Sequence, residues 1–525
     1  MRRCLSIIAI LIALSAVFSR ATTHFVALNS PNPTAPYTNW DTAAHVIQDA
    51  IDAAESGDTI LVTNGLYNTG GHPVIETLTN RVAITKPLTV QSVNGPVVTI
   101  IEGYQVPGTT NGDGAVRCVY MTNNATLIGF TITHGATYTN ADSFNDENVG
   151  GVMCANFTNS VLSNCTIIAN SAYSECGGVL LGTLNNCIIA NNSDSSEAGG
   201  TAYSTLNHCL VTNNCSASGI GGIEGNSGTI VPYDDEPSTS ANYCTIACNS
   251  SATGPGGAVT TFLNNCLVTG NQPVGADYCR LYNCTVVSNS IGIQSGAALN
   301  CISYYNNNGN CPNVFLDHGC TTPLPQYGSG NITNEPLFAD PAAGDFRLLP
   351  NSPCINSGDN NYLTVTNNFW ETPDKFYFLF LTNDLDGSPR VAGSTVDIGA
   401  YEFQSPTSII SYAWLQQYGF PQDGSADSAD PDGDGMNNWQ EWRAGTIPTN
   451  AASMLQMLTP SIGSAGITLT WQSQTNITYF LQRSPALGAP FSTIRSNLLG
   501  QGGTTSYTDT NGISAGPCLY RVGVQ

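Results

Sequence analysis

The chain has 525 residues, too many for one ordinary hydrophobic core, so several domains or a repeat array are expected. Its 14 basic and 37 acidic residues give a formal net charge of −23, which argues against nucleic acid or an anionic membrane surface as partner. A strongly anionic polysaccharide is disfavoured too, unless calcium bridges the two.

Residues 1–21 read as a secretory signal. Arg2 and Arg3 form a basic start, residues 4–18 are an apolar run, and Ser19-Arg20-Ala21 offers a small-x-small cleavage site. The run is short for a membrane span, and nothing later resembles one. Cleavage would remove three arginines and take the net charge to −26. It would also remove Cys4 from the 18 cysteines, and the odd number left requires at least one unpaired thiol. A helix is expected over residues 42–55, because Ala43, Val46, Ile47, Ala50, Ile51 and Ala54 share one face. Asp41 or Thr42 is its expected N-cap and Gly57 its stop. Strands are expected at 58–62, 81–84, 88–93 and 97–101.

A repeat follows. The phrase Asn-Cys, two β-formers, then Asn appears at Asn164-Cys165-Thr166-Ile167-Ile168 with Asn170, and at Asn186-Cys187 with Asn191. It returns at His208-Cys209 with Asn213, Tyr243-Cys244 with Asn249, Asn265-Cys266 with Asn271, Asn283-Cys284 with Asn289, and Asn300-Cys301. The cysteines are spaced by 22, 22, 35, 22, 18 and 17. A Gly-Gly pair at 150, 177, 199, 221 and 256 keeps the same phase. A period near 22 with short β-rich stretches and Asn/Gly turns predicts one coil of a right-handed parallel β-helix. Equivalent residues then stack about 4.8 Å apart. The cysteines are expected to form an inward ladder of mostly free thiols, since in-register side chains point the same way and resist bridging. Asn after each strand is expected in a turn, and Gly-Gly at a tight corner. The 35-residue interval holds an inserted loop with the acidic stretch 231–237.

Further on, Pro336-Leu337-Phe338-Ala339-Asp340, Ser352-Pro353-Cys354-Ile355-Asn356-Ser357-Gly358, Asp386-Gly387-Ser388-Pro389-Arg390 and Val396-Asp397-Ile398-Gly399-Ala400-Tyr401-Glu402 form a series of phrases. With the opening at residues 44–62, they resemble the choice-of-anchor Q group of bacterial surface proteins, within the pectin-lyase-like superfamily. The resemblance spans roughly residues 24–405. It implies a secreted surface protein, adhesive or carbohydrate-related, and no particular reaction.

Residues 430–441 match the 12-position calcium loop. Asp430, Asp432 and Asp434 fall at positions 1, 3 and 5, Gly435 at 6, the Met436 carbonyl at 7, Asn438 at 9 and Glu441 at 12. The stretch resembles the calcium linkers related to thrombospondin type 3 and dockerin repeats. Asp423 and Asp427 do not complete a second loop, so one site that stiffens a junction is expected. From Ile467 onward, 467–471, 478–482 and 519–522 read as short strands of a small fibronectin-III-like β-sandwich. The expected domains are thus a signal at 1–21, a β-helix at 22–405, a calcium linker at 406–451 and a sandwich at 452–525.

Chemistry is less legible. A lyase site needs a basic proton abstractor, and Arg280 is the only Lys or Arg between Cys118 and Phe346. A glycosidase needs paired carboxylates, and Glu175 and Glu197 lie one period apart, each just before its Gly-Gly, with Glu147 as a possible extension. As solvated corner residues they would do neither. The favoured reading is a monomeric, non-catalytic extracellular protein that binds a polysaccharide or cell-surface component or serves as a scaffold. The alternative is a polysaccharide lyase or glycoside hydrolase.

Overall fold

The computed structural model describes residues 21–74, 77–122, 124–139, 148–155, 159–225, 239–366, 378–512 and 518–525. The expected signal, Glu147 and the 231–237 loop lie outside them. The chain divides into two compact units, Met1–Thr205 and Leu206–Gln525, taken here in turn. Each carries coils of a right-handed parallel β-helix.

In the first unit, Thr23–Val26, Thr59–Val62, Thr89–Ser92, Thr126–Ile128, Val161–Ser163 and Thr183–Asn185 pair in that order, all parallel. A second sheet runs from Gly65–Tyr67 through Thr99–Glu102, Thr131–Thr133 and Thr166–Ile168 to Ile188–Ala190. A third holds Thr79–Ile84, Val116–Met121, Val152–Cys154, Val179–Leu180 and Thr201–Ala202. The period of two sends alternate side chains inward. Ile60, Val90, Leu127, Leu162 and Leu184 therefore stack in register at the core, all fully buried. Removing each from water contributes about 1.5–3 kcal/mol.

The opening of this unit differs from expectation. Asn39 caps a 3-10 turn, Trp40–Thr42, and the α-helix begins only at Ile47, spanning Ile47–Ala53. Residues between them cannot be helical, because Ala44 exchanges backbone hydrogen bonds with Phe25 of the first strand and with Ala27 just after it. That strand, Thr23–Val26, precedes the one expected at 58–62. The helix covers the end of the core with Ile47, Ala50 and Ile51. Its Gln48 amide bonds both the N–H and the C=O of Ala83, acting as a surrogate strand at an open sheet position. Lys86, not Gly57, satisfies the last turn: its ammonium donates to the carbonyls of Ile51, Asp52 and Ala54.

The second unit repeats the plan. Its first sheet is Ser240–Asn242, Phe262–Asn264, Cys279–Tyr282, Ser295–Leu299 and Asn313–Asp317. Its second runs from Leu210–Thr212 through Thr245–Ala247, Leu267–Thr269, Thr285–Val287 and Ile302–Tyr304 to Cys320–Thr321. Its third holds Ile223–Glu224, Ala258–Val259, Val274–Asp277 and Ile291–Ile293.

The repeat phrase acquires a physical meaning for each position. The residue before each repeat cysteine turns the corner in the left-handed region, with φ between 50° and 55° at Asn164, Asn186, His208, Tyr243, Asn265, Asn283 and Asn300. The cysteines are not on the strands but just ahead of them. All seventeen described cysteines are free thiols, and those of the repeat are buried. Each repeat thiol also donates to the carbonyl two residues back, across the corner, as Cys266 does to Asn264 at 3.3 Å and Cys284 to Tyr282 at 3.3 Å. Cysteine thus fills a small apolar site and caps a carbonyl at once.

Asparagines after the strands serve two roles, which the sequence reading merged into one. Asn191 and Asn213 take the left-handed turn, whereas their neighbours Asn192 and Asn214 are fully buried. In the first unit Asn170 donates its backbone and side-chain N–H to Asn192 Oδ1, both at 3.0 Å. In the second unit the same double bond runs from Asn214 to Asn249, Asn271, Asn289, Asn306 and finally Asn310. The ladder steps over the 35-residue interval without a gap. Gly-Gly is likewise explained by contact, not by backbone freedom. Gly178 has no positive φ, but a Cβ there would sit 2.2 Å from Gly200 O.

The closing phrases fold over the last coils of the second unit. Asn300 exchanges bonds with the Asp359 backbone, Gly399 N–H donates to Asn300 O, and Ala400 N–H donates to Thr285 Oγ1. Arg390 is 1% exposed and donates to the carbonyls of Asp397 and Gly399. Asp397 accepts from the amides of Asn356 and Phe403, and Glu402 from those of Ala392 and Asp397. The segment ends in two helices, Tyr412–Tyr418 and Asn438–Ala444. Two three-stranded antiparallel sheets follow, Ser461–Gly463/Gly466–Ser473/Gly503–Asp509 and Ser492–Leu499/Thr478–Ser484/Leu519–Val524. Leu469, Trp471, Tyr479 and Leu481 form their shared core. The strands expected at 467–471, 478–482 and 519–522 are all present.

Candidate functional site

Three places collect chemically active side chains. The first is the acidic row of the first unit. Cys176 and Ala198 pair in parallel, so Glu175 and Glu197, each one residue earlier, occupy equivalent places on successive coils. The expected stacking of the two is therefore present. Asp194, at the end of Ser193–Asp194, joins them. Its Oδ1 accepts from the amides of Ser196 and Glu197, while its buried Oδ2 has no hydrogen-bond partner. Burial, then the charges of Glu197 and Asp194, push the Glu175 carboxyl up to about 7. Burial raises Asp194 to about 6, against its amide bonds, and raises Glu197 as well.

The second is an outward face of the second unit. Ser240, Phe262, Arg280, Ala297 and Phe315 occupy one column of the first sheet, and Tyr327 pairs in parallel with Phe315. Successive members are about 4.8 Å apart along the coil axis. The Arg280 guanidinium carbon lies 5.5 Å from the Phe262 ring centroid, and burial lowers its pKa to about 10. Phe315, Tyr327 and Tyr278 are 46%, 61% and 56% exposed. A parallel column ends in Asp317, whose oxygens accept from Ser329, from Tyr362 and, at 3.3 Å, from His318 Nδ1. Sequence reasoning found Arg280 and missed its neighbours. The signal was available: Phe262, Arg280 and Ala297 each lie four residues before a repeat cysteine, Cys266, Cys284 and Cys301.

The third is the acidic loop. Asp430, Asp432 and Asp434 bring ligand oxygens within 4.8 Å of one another and could hold a metal ion. Gly433 and Gly435 allow the winding with φ of 76° and 95°. Asp430 accepts from both glycine amides, and Asp434 Oδ1 from Met436 N–H at 2.7 Å. Asp432 Oδ2, Asp434 Oδ2 and Glu441 Oε2 are buried without a hydrogen-bond partner. Glu441 is fully buried, and burial together with Asp432 and Asp434 lifts its carboxyl to about 7. Asn438 is buried in the helix, its amide donating to Ala426 O. Unpartnered buried carboxylate oxygens are costly, and a cation would complete them.

No family model and no curated protein sequence matches the chain. Among solved structures it is similar to a pectate lyase, Pel9A, at 13% identity and a TM-score of 0.40, covering 73% of this chain and 97% of that one. XylC in complex with xylose aligns at 11% identity and a TM-score of 0.38, covering 72% and 98%. The A-module of the mannuronan C-5 epimerase AlgE4 from Azotobacter vinelandii aligns at 14% and 0.29, covering 52% and 76%. Likeness of this order assigns no activity; the β-helix itself is read from the strand register above. Among the described residues no helix is long and apolar enough to cross a membrane.

Proposed function

We propose that this is an extracellular carbohydrate-binding surface protein whose ligand lies along the Phe262–Tyr327 face of the second unit. The observation that carries the reading is the column of Phe262, Arg280 and Phe315, continued by Tyr327, on one outward face. Sugar rings present apolar C–H faces to aromatic rings, and a guanidinium offers paired donors to hydroxyls or carboxylates. A rigid sheet holds such groups at fixed intervals, which suits a repeating polymer. The terminal phrases support membership of the choice-of-anchor Q group and the pectin-lyase-like superfamily. The acidic composition and the N-terminal signal support secretion, and the protein acts as a monomer. Its domains are a signal at 1–21, a β-helix at 22–405, a linker at 406–451 and a sandwich at 452–525.

The linker holds calcium through Asp430, Asp432, Asp434, the Met436 carbonyl and Glu441, with Asn438 alongside. The bare carboxylate oxygens support this, and the ion would stiffen the loop where the Met436 sulfur meets Leu455 N–H at 3.2 Å. A second reading is catalytic: a lyase would draw on Arg280, whose pKa burial lowers, as its base, and a glycosidase would draw separately on the raised carboxyl of Glu175 with Glu197.

A polysaccharide panel, with and without calcium, tests these readings. Binding that weakens in Phe315→Ala and Arg280→Ala, with no new reducing or unsaturated ends, supports the first. Cleavage abolished by Arg280→Ala or Glu175→Gln supports the second and overturns the first. Binding unchanged in both variants removes this face from the account. Calorimetric titration of the whole chain against its Asp432→Asn variant tests the loop.

A further inference from the structure

We propose that the junction of the linker and the sandwich holds one ring of an uncharged sugar, in a site separate from the Phe262–Tyr327 face and not dependent on it. A cavity of about 240 Å³ lies there, lined by residues that include Ile447, Asn450, Ser453, Leu455, Gln472 and Tyr479. That is below the roughly 300–1,000 Å³ of sites for drug-sized ligands, so it suits one ring and not a chain. None of the described residues that line it is Asp, Glu, His, Lys or Arg. A charged ligand would lose hydration there and gain no counter-charge. The chain's net charge of −23 disfavours an acidic sugar further.

The chain builds this cavity from two fixed walls. Gly445 ends the helix Asn438–Ala444 with φ of 68°, and residues 446–453 then fold into tight turns. Asn450 N–H donates to Ile447 O, Ser453 N–H to Asn450 O, Ile447 N–H to Ser453 Oγ and Ala452 N–H to Asn450 Oδ1. The second wall belongs to the strand Gly466–Ser473, beside which residues 456–458 run. Gln472 N–H donates to Gln456 O, and Leu458 N–H to Thr470 O. Tyr479 is 1% exposed, and its hydroxyl oxygen accepts from Gln474 N–H at 2.9 Å. The site is thus formed before any ligand arrives, which spares the entropy of ordering it.

What the walls leave unused is neutral hydrogen-bonding capacity. Gln472 Oε1 is buried and has no hydrogen-bond partner. The Ser453 hydroxyl accepts from Ile447 N–H and keeps its own proton to give. Asn450 commits Oδ1 to Ala452, while its Nδ2 makes no hydrogen bond among the described residues. Two carboxamides and a hydroxyl therefore share one cavity with the apolar residues Ile447, Ala452 and Leu455. A neutral pyranose has the matching composition. Its rim carries hydroxyls that both donate and accept, and its faces carry C–H groups. A carboxamide pairs with such hydroxyls without the desolvation cost of an ion.

The test is saturation-transfer NMR on the full chain. The probes are methyl glycosides of glucose, galactose, mannose and xylose, with the methyl glycoside of glucuronic acid as the charged counterpart. The expected result is transfer to at least one neutral glycoside, with a Kd near about 1–10 mM for so small a ring, and none to the acidic one. Gln472→Leu should weaken binding about 3–10-fold and melt no lower than wild type, because its buried oxygen has no bond to lose. Ala452→Trp, at an exposed residue, should fill the cavity and abolish transfer at an unchanged melting temperature. Phe315→Ala should leave transfer as it is. No transfer to any neutral glycoside, transfer that survives both Gln472→Leu and Ala452→Trp, or equal transfer to the acidic sugar overturns the proposal. If Gln472→Leu lowers the melting temperature, Ala452→Trp decides alone. Transfer lost in Phe315→Ala and kept in Ala452→Trp places the sugar on the Phe262–Tyr327 face, which overturns this site and leaves the other reading standing.

Discussion

Inside the second unit, Asn249, Asn271 and Asn289 hold equivalent positions on successive coils; on the outside, an equivalent column reads Phe262, Arg280, Ala297. The register is shared and the rules are opposite. An interior position that must satisfy a buried backbone N–H and carbonyl on every coil has one good solution, and the chain repeats it. An exterior position has no such obligation, so its residues change from coil to coil. Repetition therefore marks what holds the coils together, and interruption of the repeat marks where a ligand can be met. The same contrast holds within the first unit, where the repeated Asn170–Asn192 pair lies inside and the acids Glu175 and Glu197 lie near the surface.

The largest expected effect breaks the interior. Asn271 Oδ1 accepts both the backbone and the side-chain N–H of Asn249, at 3.0 Å each. Asn271→Ala strips two buried donors of their acceptor, at roughly 1–3 kcal/mol apiece. Urea unfolding should show a loss of about 2–6 kcal/mol. A loss under about 1 kcal/mol would mean the ladder is no more constrained than the outer face, and the contrast would fail. Gly178→Ala comes next. Its methyl must displace the Gly200 carbonyl, a backbone atom that can yield only by moving a coil, at about 1–3 kcal/mol.

A third effect is read by pH. In the closing segment Asp397 and Glu402 are buried beside a single guanidinium, Arg390. Burial and then, for Glu402, the charge of Asp397 raise the carboxyls to about 7 for Asp397 and about 8 for Glu402, above ordinary values near 4. The folded state thus binds protons more tightly than the unfolded chain. The contribution is fully present below about pH 4 and is lost as pH rises through 7 and 8. Amide protection at Ala392 and Phe403, whose N–H groups these carboxylates accept, should fall between pH 5 and 8.5 after correction for intrinsic exchange. Flat protection across that range counts against raised carboxyls at Asp397 and Glu402.

The legibility of the chain follows the same division. The Cys and Asn-Cys phrases exposed the coil, its period and the free thiols, because interior obligations recur at a countable spacing. The strands at 467–471 and 478–482 were visible from alternation alone. The start of the N-terminal helix was not, since nothing in the spacing of Ala43 and Val46 reveals that Ala44 pairs with Phe25 and Ala27. The two asparagine roles were merged because Asn191-Asn192 and Asn213-Asn214 are adjacent and only burial separates them. Arg280 was singled out by scarcity of charge, but Phe315 and Tyr327 needed the register. Asp194 was missed because its importance lies in an oxygen without a partner.

The smallest effect on stability is expected where the effect on function is greatest. Phe315 is 46% exposed, in register with Ala297 on the outward column. Phe315→Ala should change unfolding free energy by no more than about 1 kcal/mol. The same truncation removes an aromatic face of the kind that contributes about 0.5–1.5 kcal/mol to a stacked contact, so glycan affinity should fall about 3–10-fold. Arg280→Lys sharpens the point. It keeps the charge but loses the planar fork and its place over Phe262, so binding should drop nearly as far as in Arg280→Ala if paired donors matter. If instead Arg280→Lys binds like wild type and Phe315→Ala unfolds the protein, the outer column belongs with the interior ladders. Its irregular sequence would then reflect packing, not recognition.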